Sequence, residues 1–249
     1  MRQTLAEITS IDTVGPFARF RFGAPELVQA LEPGRAILAR SAQTYLRRTW
    51  WPCAIDESGF SILLDSPQAA GLRAGDCIDV LGPIGRGFRL DDSSRSILLV
   101  AAGSIAPHSD IGPLLPLVDR ALADGRSVTL AYAAPAADHA YPVSALSPAI
   151  EVIRAIDTDL VDLLPDAIAW ADQVFACGPI DFAARLAGRI HSIRFPAPRG
   201  FAQALHLTDL PCGTGACGAC WDGSRLACVD GPVFELTSRP GRSPKTCQV

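Results

Sequence analysis

The chain has 249 residues, 49% of them hydrophobic, so it is long enough to form two or three modest domains with substantial cores. A formal net charge of −4 argues against nucleic acid as a partner, because no excess of basic side chains is available to neutralise phosphates. The amino-terminal sequence lacks the apolar segment of a signal peptide, and no apolar run approaches the roughly 18 residues that span a bilayer. We therefore expect a cytoplasmic protein without a membrane partner.

Short β-like runs separated by turn residues occupy the first part of the chain. They contain β-branched or aromatic residues and are bounded by Gly, Pro, Asp or Ser, which is typical of antiparallel strands joined by turns. We predict a small antiparallel β-barrel over residues 1–92. The predicted strands are ARFRFGAP, RAILAR, TYLRRTWW, FSILLD and DCIDVLGP.

From residue 93 the pattern alternates between continuous apolar runs and helical segments. The runs SILLVAAG, SVTLAYAAP, AIEVIRAID and QVFACGP are typical of strands buried on both faces of a parallel sheet. The predicted helices are LLPLVDRALADG, DLVDLLPDAIAWA and IDFAARLAGRIHS, the last beginning just after Pro179 with Asp181 in its first turn. Residues 93–198 are therefore predicted to form a Rossmann-like, doubly wound domain.

Residues 199–249 form a third region with a different composition. Next to the Pro- and Gly-rich linker FPAPRG, the segment RGFAQALHL predicts one more strand. The rest has little helical periodicity and too few large apolar residues for an independent core. A metal centre would supply the missing stability.

Four of the eight cysteines lie close together in this tail, in the pattern C-x4-C-x2-C-x7-C. The first three are spaced as in plant-type ferredoxins, where the fourth thiolate comes from a separate strand. Three glycines between them permit positive φ angles and let backbone N–H groups turn towards cluster sulfurs; these are Gly213, Gly215 and Gly218. We predict a small [2Fe-2S] domain whose ligands are Cys212, Cys217, Cys220 and Cys228.

Other interpretations of the thiols stay open. Four thiolates can hold a structural zinc, although zinc sites usually have two similar C-x2-C pairs and this tail has one. Unligated or disulfide-linked thiols are a further alternative. The remaining cysteines are predicted to be apolar fillers in strands or, for the last, a residue near the carboxyl terminus that does not ligate: Cys53, Cys77, Cys177 and Cys247. The four histidines are scattered, and we assign none of them a role.

The motifs LRR, LGPIGRGF, FACGP and PCGTGACGACW, followed by ACVDGPVF, together resemble a known family. It is the family of electron-transfer subunits of two-component dihydroorotate dehydrogenases, within the ferredoxin-NADP reductase superfamily. The resemblance covers nearly the whole chain in the same order. It implies a β-barrel that binds FAD, a Rossmann-like domain that receives NAD(P)H, and a carboxyl-terminal [2Fe-2S] domain that passes electrons to a catalytic flavoprotein subunit.

The resemblance also implies cofactor-binding residues. The superfamily's Arg-x-aromatic-Ser flavin motif falls on Arg48, Thr49, Trp50 and Trp51, where the bulky Trp51 replaces the small hydroxyl residue. The family's Gly-Pro-x-Gly segment falls on Gly82, Pro83 and Gly85, and its Cys-Gly-Pro turn near the nicotinamide falls on Cys177, Gly178 and Pro179. The tryptophans also have a purely structural interpretation as part of a barrel strand, and the Cys-Gly-Pro turn has one as a strand-to-helix connection.

Two loops depart from the family pattern. The segment DSPQAAGLRAGD is shorter than in the family and lacks the Gly-Thr that normally precedes Leu-x-x-Gly-Asp, where backbone amides and a hydroxyl meet the pyrophosphate. In AAGSIAPHSD only Gly103 remains of the glycine triplet that lets the chain approach a dinucleotide. The primary hypothesis is an electron-transfer subunit in a hetero-oligomer, with the partner docked beside the cluster. The alternatives are a relay subunit that has lost NAD(P)H oxidation, or even FAD, and a zinc-stabilised structural subunit.

Overall fold

A computed structural model describes residues 1–41, 44–65, 69, 71–102, 110–156 and 158–236. Within these ranges the strands are β1 (Arg2–Val14), β2 (Phe17–Gly23), β3 (Ala36–Arg40), β4 (Arg48–Trp50), β5 (Pro52–Asp56), β6 (Gly59–Leu64), β7 (Cys77–Ile84), β8 (Ser96–Ala101), β9 (Ser127–Ala134), β10 (Glu151–Ile156), β11 (Gln173–Gly178), β12 (Ala202–His206), β13 (Trp221–Asp222), β14 (Arg225–Leu226) and β15 (Val233–Glu235). The α-helices are α1 (Pro25–Val28), α2 (Leu115–Ala123), α3 (Pro165–Trp170), α4 (Ile180–Ile193) and α5 (Ala227–Asp230). Short 3-10 helices are Gly112–Leu114, Ala137–His139, Val143–Ala145 and Leu160–Leu163.

The first seven strands form an antiparallel, barrel-like sheet in the order β4-β3-β7-β1-β2-β6-β5. Its interior is filled by aromatic and branched side chains, among which the rings of Phe22 and Phe60 stack with centroids 5.2 Å apart. The predicted β-barrel class is confirmed. Strands β1 and β5 were not predicted from the sequence, and β1 lies at the centre of the sheet, paired with β2 and β7.

The second sheet has the order β10-β9-β8-β11-β12-β15. Its first five strands are parallel, and the order turns at β8, as in a doubly wound fold. One face packs against α3 and α4, and the other face shares a core with the barrel. The predicted Rossmann-like class is confirmed. Asp181 lies in the first turn of α4, as predicted.

The helix predicted over residues 159–171 is instead two short helices, the 3-10 helix Leu160–Leu163 and α3. Pro165 begins α3 and has no backbone N–H to donate to the preceding turn. The Asp159 side chain accepts a hydrogen bond from Val161 N at 3.1 Å, which caps the 3-10 helix separately.

The tail packs on both sheets instead of standing apart. Strand β12 is parallel to β11, and β15 is antiparallel to β12. Leu210, Cys220 and Cys228 are buried in the same apolar cluster that holds side chains of the barrel and of the parallel sheet. The few apolar residues of the tail are therefore buried against side chains of the barrel and of the parallel sheet. None of the helices in the described ranges is long and apolar enough to cross a membrane.

Candidate functional site

The cysteine loop lies between β12 and β13 and rests directly on the barrel. Gly213 is so close to strands β3 and β7 that a Cβ atom there would lie 2.8 Å from Ile84 Cδ1 and 3.2 Å from Leu38 Cδ1. The three loop glycines have the positive φ angles that the sequence predicted: 67° at Gly213, 82° at Gly215 and 63° at Gly218. The loop therefore folds tightly and leaves its amide groups facing inward.

The structure brings the four predicted ligands together as two pairs of thiols. The Sγ atoms of Cys220 and Cys228 are 3.3 Å apart, and both residues are buried. On the more open side of the loop, the Cys217 N–H donates to Cys212 Sγ with an N···S distance of 3.5 Å. A further amide links the two sides, because Gly215 N donates to Cys228 Sγ at 3.1 Å.

The two sides of the loop differ in electrostatic character. Backbone N–H groups of Cys217 and Thr214 lower the pKa of the Cys212 thiol to about 6, because they stabilise its thiolate. Burial raises the pKa of Cys228, and the adjoining Cys220 thiol raises it further. A positive metal centre would reverse the second effect, since it stabilises the thiolates that bind it.

This donor set can be tested against a cluster and against zinc. Among the described residues, no three His, Cys, Asp or Glu side chains converge closely enough to hold one metal ion. Structural zinc needs four donors around a single point, whereas a two-iron centre uses donors in two pairs. Amides directed at the sulfurs are also typical of iron-sulfur loops. The two thiol contacts and the amides directed at the sulfurs are compatible with a [2Fe-2S] cluster.

Two large apolar side chains beside the cysteines face solvent. Trp221 follows Cys220 and is 61% exposed, and Val229 follows Cys228 and is 45% exposed. Both side chains immediately follow predicted ligands in the sequence.

The residues of the flavin motif, which lie on β4 and directly after it, have different surroundings. Arg48 is exposed at the start of the strand. Trp50 is 6% exposed and packs inside the barrel against Phe22, with ring centroids 5.6 Å apart. Trp51 is 5% exposed and belongs to the core between the barrel and the parallel sheet. Of these three side chains, only Arg48 is open to a bound anion.

Thr49 has a role that the sequence analysis did not assign. It is 2% exposed, and its Oγ1 accepts a hydrogen bond of 2.9 Å from the backbone N–H of Leu210, which is fully buried. This bond ties β4 to the cysteine loop two residues before Cys212. A threonine in the middle of a strand gives no local signal of this contact, since its partner is 161 residues away.

The Gly-Pro-x-Gly segment at the end of β7 is packed against the tail. Gly82 lies against Ile37, and Pro83 is buried. A Cβ atom at Gly85, where φ is 72°, would lie 2.4 Å from the carbonyl oxygen of Gly231. The contact of Gly85 positions the tail on the barrel, whereas Gly82 packs within the barrel.

The predicted nicotinamide residues are only partly described. Gly103 lies outside the described residues, as does His108. Cys177 is fully buried, and burial raises the pKa of its thiol well above the usual value. A Cβ atom at Gly178 would lie 2.4 Å from the Cβ of Ala102, so the Cys-Gly-Pro turn is closed against the end of β8. Pro179 immediately precedes α4 and is partly exposed.

The other cysteines and histidines have mostly structural surroundings. Cys53 is buried, as predicted for an apolar filler, but the prediction is wrong for Cys77, which is exposed at the start of β7; Cys247 lies outside the described residues. Two of the described histidines lie beside a carboxylate: exposed His139 Nδ1 is 2.9 Å from the adjacent Asp138 Oδ1, and the largely buried His206, at the end of β12, has its Nδ1 2.8 Å from Asp222 Oδ2. The contact of His206 joins the strand before the cysteine loop to the hairpin after it.

Known structures share this architecture. A structure of an NADH-dependent reduced ferredoxin-NADP oxidoreductase superposes with a TM-score of 0.76, covering 94% of this chain and 88% of that one, at 21% identity. A ferredoxin reductase of carbazole 1,9a-dioxygenase superposes with a TM-score of 0.69, covering 83% and 70% at 13% identity. The barrel, the doubly wound sheet and their connection thus define a ferredoxin reductase fold.

Sequence comparison identifies the family more narrowly. No family model matches the chain. The dihydroorotate dehydrogenase B (NAD(+)) electron transfer subunit of Geobacillus thermodenitrificans is 30% identical over 237 residues, covering 84% of this chain and 86% of the relative. The corresponding subunit of Listeria monocytogenes is 26% identical over 234 residues, covering 84% and 87%. The chain belongs to the family of dihydroorotate dehydrogenase B electron transfer subunits.

Proposed function

We propose that the chain is the electron-transfer subunit of a two-component oxidoreductase, with a [2Fe-2S] cluster as the point where single electrons pass to or from its partner. The observation that carries this proposal is the pairing of Cys212 with Cys217 and of Cys220 with Cys228 on one glycine-lined loop. Family membership supports the same role. The cluster would supply one-electron transfer, and the chain's own residues would hold it and exclude water from its buried side.

The loop is built for that task. Backbone N–H groups of Thr214, Gly215 and Cys217 donate to thiol sulfurs, so they would stabilise negative charge on the ligands. The burial of Cys220 and Cys228 lowers the local dielectric, whereas Cys217 is exposed. Electrons would therefore leave through the exposed side, where Trp221 and Val229 offer an apolar surface to the partner.

We propose a catalytic flavoprotein subunit as that partner, because the relatives are named as electron transfer subunits of dihydroorotate dehydrogenase B. The assembly would be a hetero-oligomer. We also propose the cytoplasm as its compartment, since thiols that are to bind iron persist best where disulfides are reduced. Within this assembly the family's source of electrons is NAD(P)H, with FAD as the intermediate carrier.

Of the four positions of the flavin motif, one is open to a ligand. Arg48 is available to pair with a pyrophosphate, as a guanidinium can make two parallel hydrogen bonds to an anion. The other positions of the motif, Thr49, Trp50 and Trp51, are occupied by protein contacts. When bound, FAD would connect two-electron and one-electron chemistry.

The burial of residues in the flavin motif and in the Cys-Gly-Pro turn favours a second candidate function. A relay subunit that keeps the cluster and exchanges electrons only with other redox proteins would need neither an open flavin cleft nor an open nicotinamide turn. Cys177 and Gly178 are buried at that turn, in agreement with this candidate. A zinc-stabilised structural subunit is the third candidate, and the paired thiols disfavour it.

One anaerobic preparation separates the three. Iron, sulfide, zinc and flavin would be assayed together with the absorption spectrum, before and after NADH and then dithionite. Flavin bands and a cluster that NADH bleaches would support the primary proposal. A cluster without flavin, reduced by dithionite alone, would support the relay subunit. A colourless protein containing zinc and no sulfide would refute both.

A further inference from the structure

A cavity of about 470 Å³ lies where the barrel, the parallel sheet and the tail meet. Its walls come from the segment after β7, from the amino ends of β11 and β12, and from the tail between β14 and β15. This volume is within the range of small-molecule sites in proteins, roughly 300–1,000 Å³. Because Cys177 and Gly178 end strand β11, the cavity lies at the opposite end of the sheet from the predicted nicotinamide site.

The floor of the cavity is preformed by two buried glutamines, Gln173 and Gln203, which are 5% and 8% exposed. Gln203 Oε1 accepts from Arg89 N at 2.9 Å, and Gln203 Nε2 donates to Arg89 O at 2.6 Å. Gln173 Oε1 accepts from Asp91 N at 2.8 Å. Side chains from β11 and β12 thus hold the backbone around Arg89 in place, and the Arg89 side chain takes no part in these hydrogen bonds.

The positively charged groups of the cavity are all guanidinium groups. Four arginines line it: Arg86, Arg89, Arg199 and Arg225. Arg225 lies over the ring of Phe234 at 4.1 Å, and Arg199 reaches Glu235 only at 3.9 Å. The guanidinium groups of Arg86 and Arg89 form no ion pair within the part of the chain that the structure describes.

The acidic side chains of the cavity are already engaged by backbone amides. Asp91 accepts from Ser93 N at 2.8 Å, Asp230 from Leu226 N at 3.0 Å, and Glu235 from Gly200 N at 2.6 Å. Hydrogen bonds from Ser93 also lower the pKa of the Asp91 carboxyl. Within the described ranges, none of these carboxylates forms an ion pair with Arg86 or Arg89, so they offset the arginines only in part.

We propose that this cavity binds a small oxyanion with at least two negative charges, either a phosphate compound or a polycarboxylate. Guanidinium groups pair with both through two parallel hydrogen bonds, and two unpaired arginines on a rigid floor suit a ligand with two anionic ends. An adjoining cavity of about 280 Å³ shares Asp91, Gln173, Arg199 and Gly200, which leaves room for a ligand larger than a single phosphate.

Calorimetric titration of the full chain with inorganic pyrophosphate and, separately, with citrate tests the site. Saturable binding of either is expected, and the preferred ligand tells phosphate chemistry from carboxylate chemistry. Arg89→Ala is expected to weaken binding about tenfold or more, because a charge-assisted hydrogen-bond partner is lost. The glutamine contacts of residue 89 are made by its backbone, so this variant keeps the floor of the cavity.

Arg120→Ala is the matched control, since it removes the same charge from an exposed position on α2, outside the cavity lining. Binding to this control should stay within about twofold of the unmodified protein, as expected for a surface charge that makes no ligand contact. Absence of saturable heat with both anions would overturn the proposal. So would an equal loss of affinity in the two variants, because general attraction to a charged surface would then explain the binding.

Discussion

The hydrogen bond between Thr49 and Leu210 can be removed almost without a change of shape by Thr49→Val. The variant replaces the hydroxyl with a methyl group and leaves the Leu210 N–H without its acceptor. Since Leu210 is 0% exposed and Thr49 only 2% exposed, water has no access to take the place of the hydroxyl. An unsatisfied buried amide costs about 1–3 kcal/mol, which corresponds to roughly 5- to 150-fold more frequent opening of the loop start.

Hydrogen-deuterium exchange of the segment around Leu210 measures this opening directly. Exchange should accelerate within that range in Thr49→Val, together with faster loss of bound iron to a chelator. Thr49→Ser is the control, because it keeps the hydroxyl and loses only a buried methyl group, so the amide should stay protected. Equal protection in Thr49→Val and the unmodified protein, or equal loss in both variants, would refute the assignment of Thr49 as the residue that positions the loop.

Three further predictions address the ligands, the tail contact and the flavin. Cys217→Ser should abolish the visible absorption of the cluster and lower the iron content, and a normal [2Fe-2S] spectrum in this variant would contradict the ligand assignment. Gly85→Ala should lower the melting temperature more than Gly75→Ala does. Both positions have positive φ, but Gly85 lies against the Gly231 carbonyl, whereas Gly75 faces open space. Similar melting temperatures of the two variants would argue against tight packing of the tail. Arg48→Ala should reduce the flavin content of the purified protein by removing a contact to pyrophosphate, and unchanged flavin content would leave Arg48 without that role.

The strands with strong local signals were the ones that could be predicted. Strands β8, β9 and β11 are buried on both faces, so nearly all their residues are apolar, and this composition alone predicts a strand of a parallel sheet. Strand β1 was missed because most of its 13 residues are exposed or half-exposed and polar. Its place at the centre of the barrel-like sheet depends on pairing with β2 and β7, and no local pattern contains that information.

The family resemblance and the residues that it singles out had different outcomes. Chain-wide similarity to electron transfer subunits confirms the family that the motifs indicated. The burial of Thr49 on β4, and of Trp51 just after it, depends on how this segment meets the cysteine loop and the parallel sheet. A motif fixes the order of residue types along a strand, but the packing of neighbouring segments decides whether a cofactor can reach them.

The sequence by itself determined the spacing of Cys212, Cys217, Cys220 and Cys228 and the glycines between them. A loop that turns tightly around inorganic sulfur needs closely spaced cysteines and glycines with positive φ, and both are visible in adjacent residues. Only the tertiary structure decided that the thiols fall into two pairs and that Thr49 ties the loop to the barrel. It also decided that Arg86 and Arg89 share a cavity with Gln173 and Gln203. Those contacts join residues up to 161 positions apart, and their geometry arises from the packing of the two sheets.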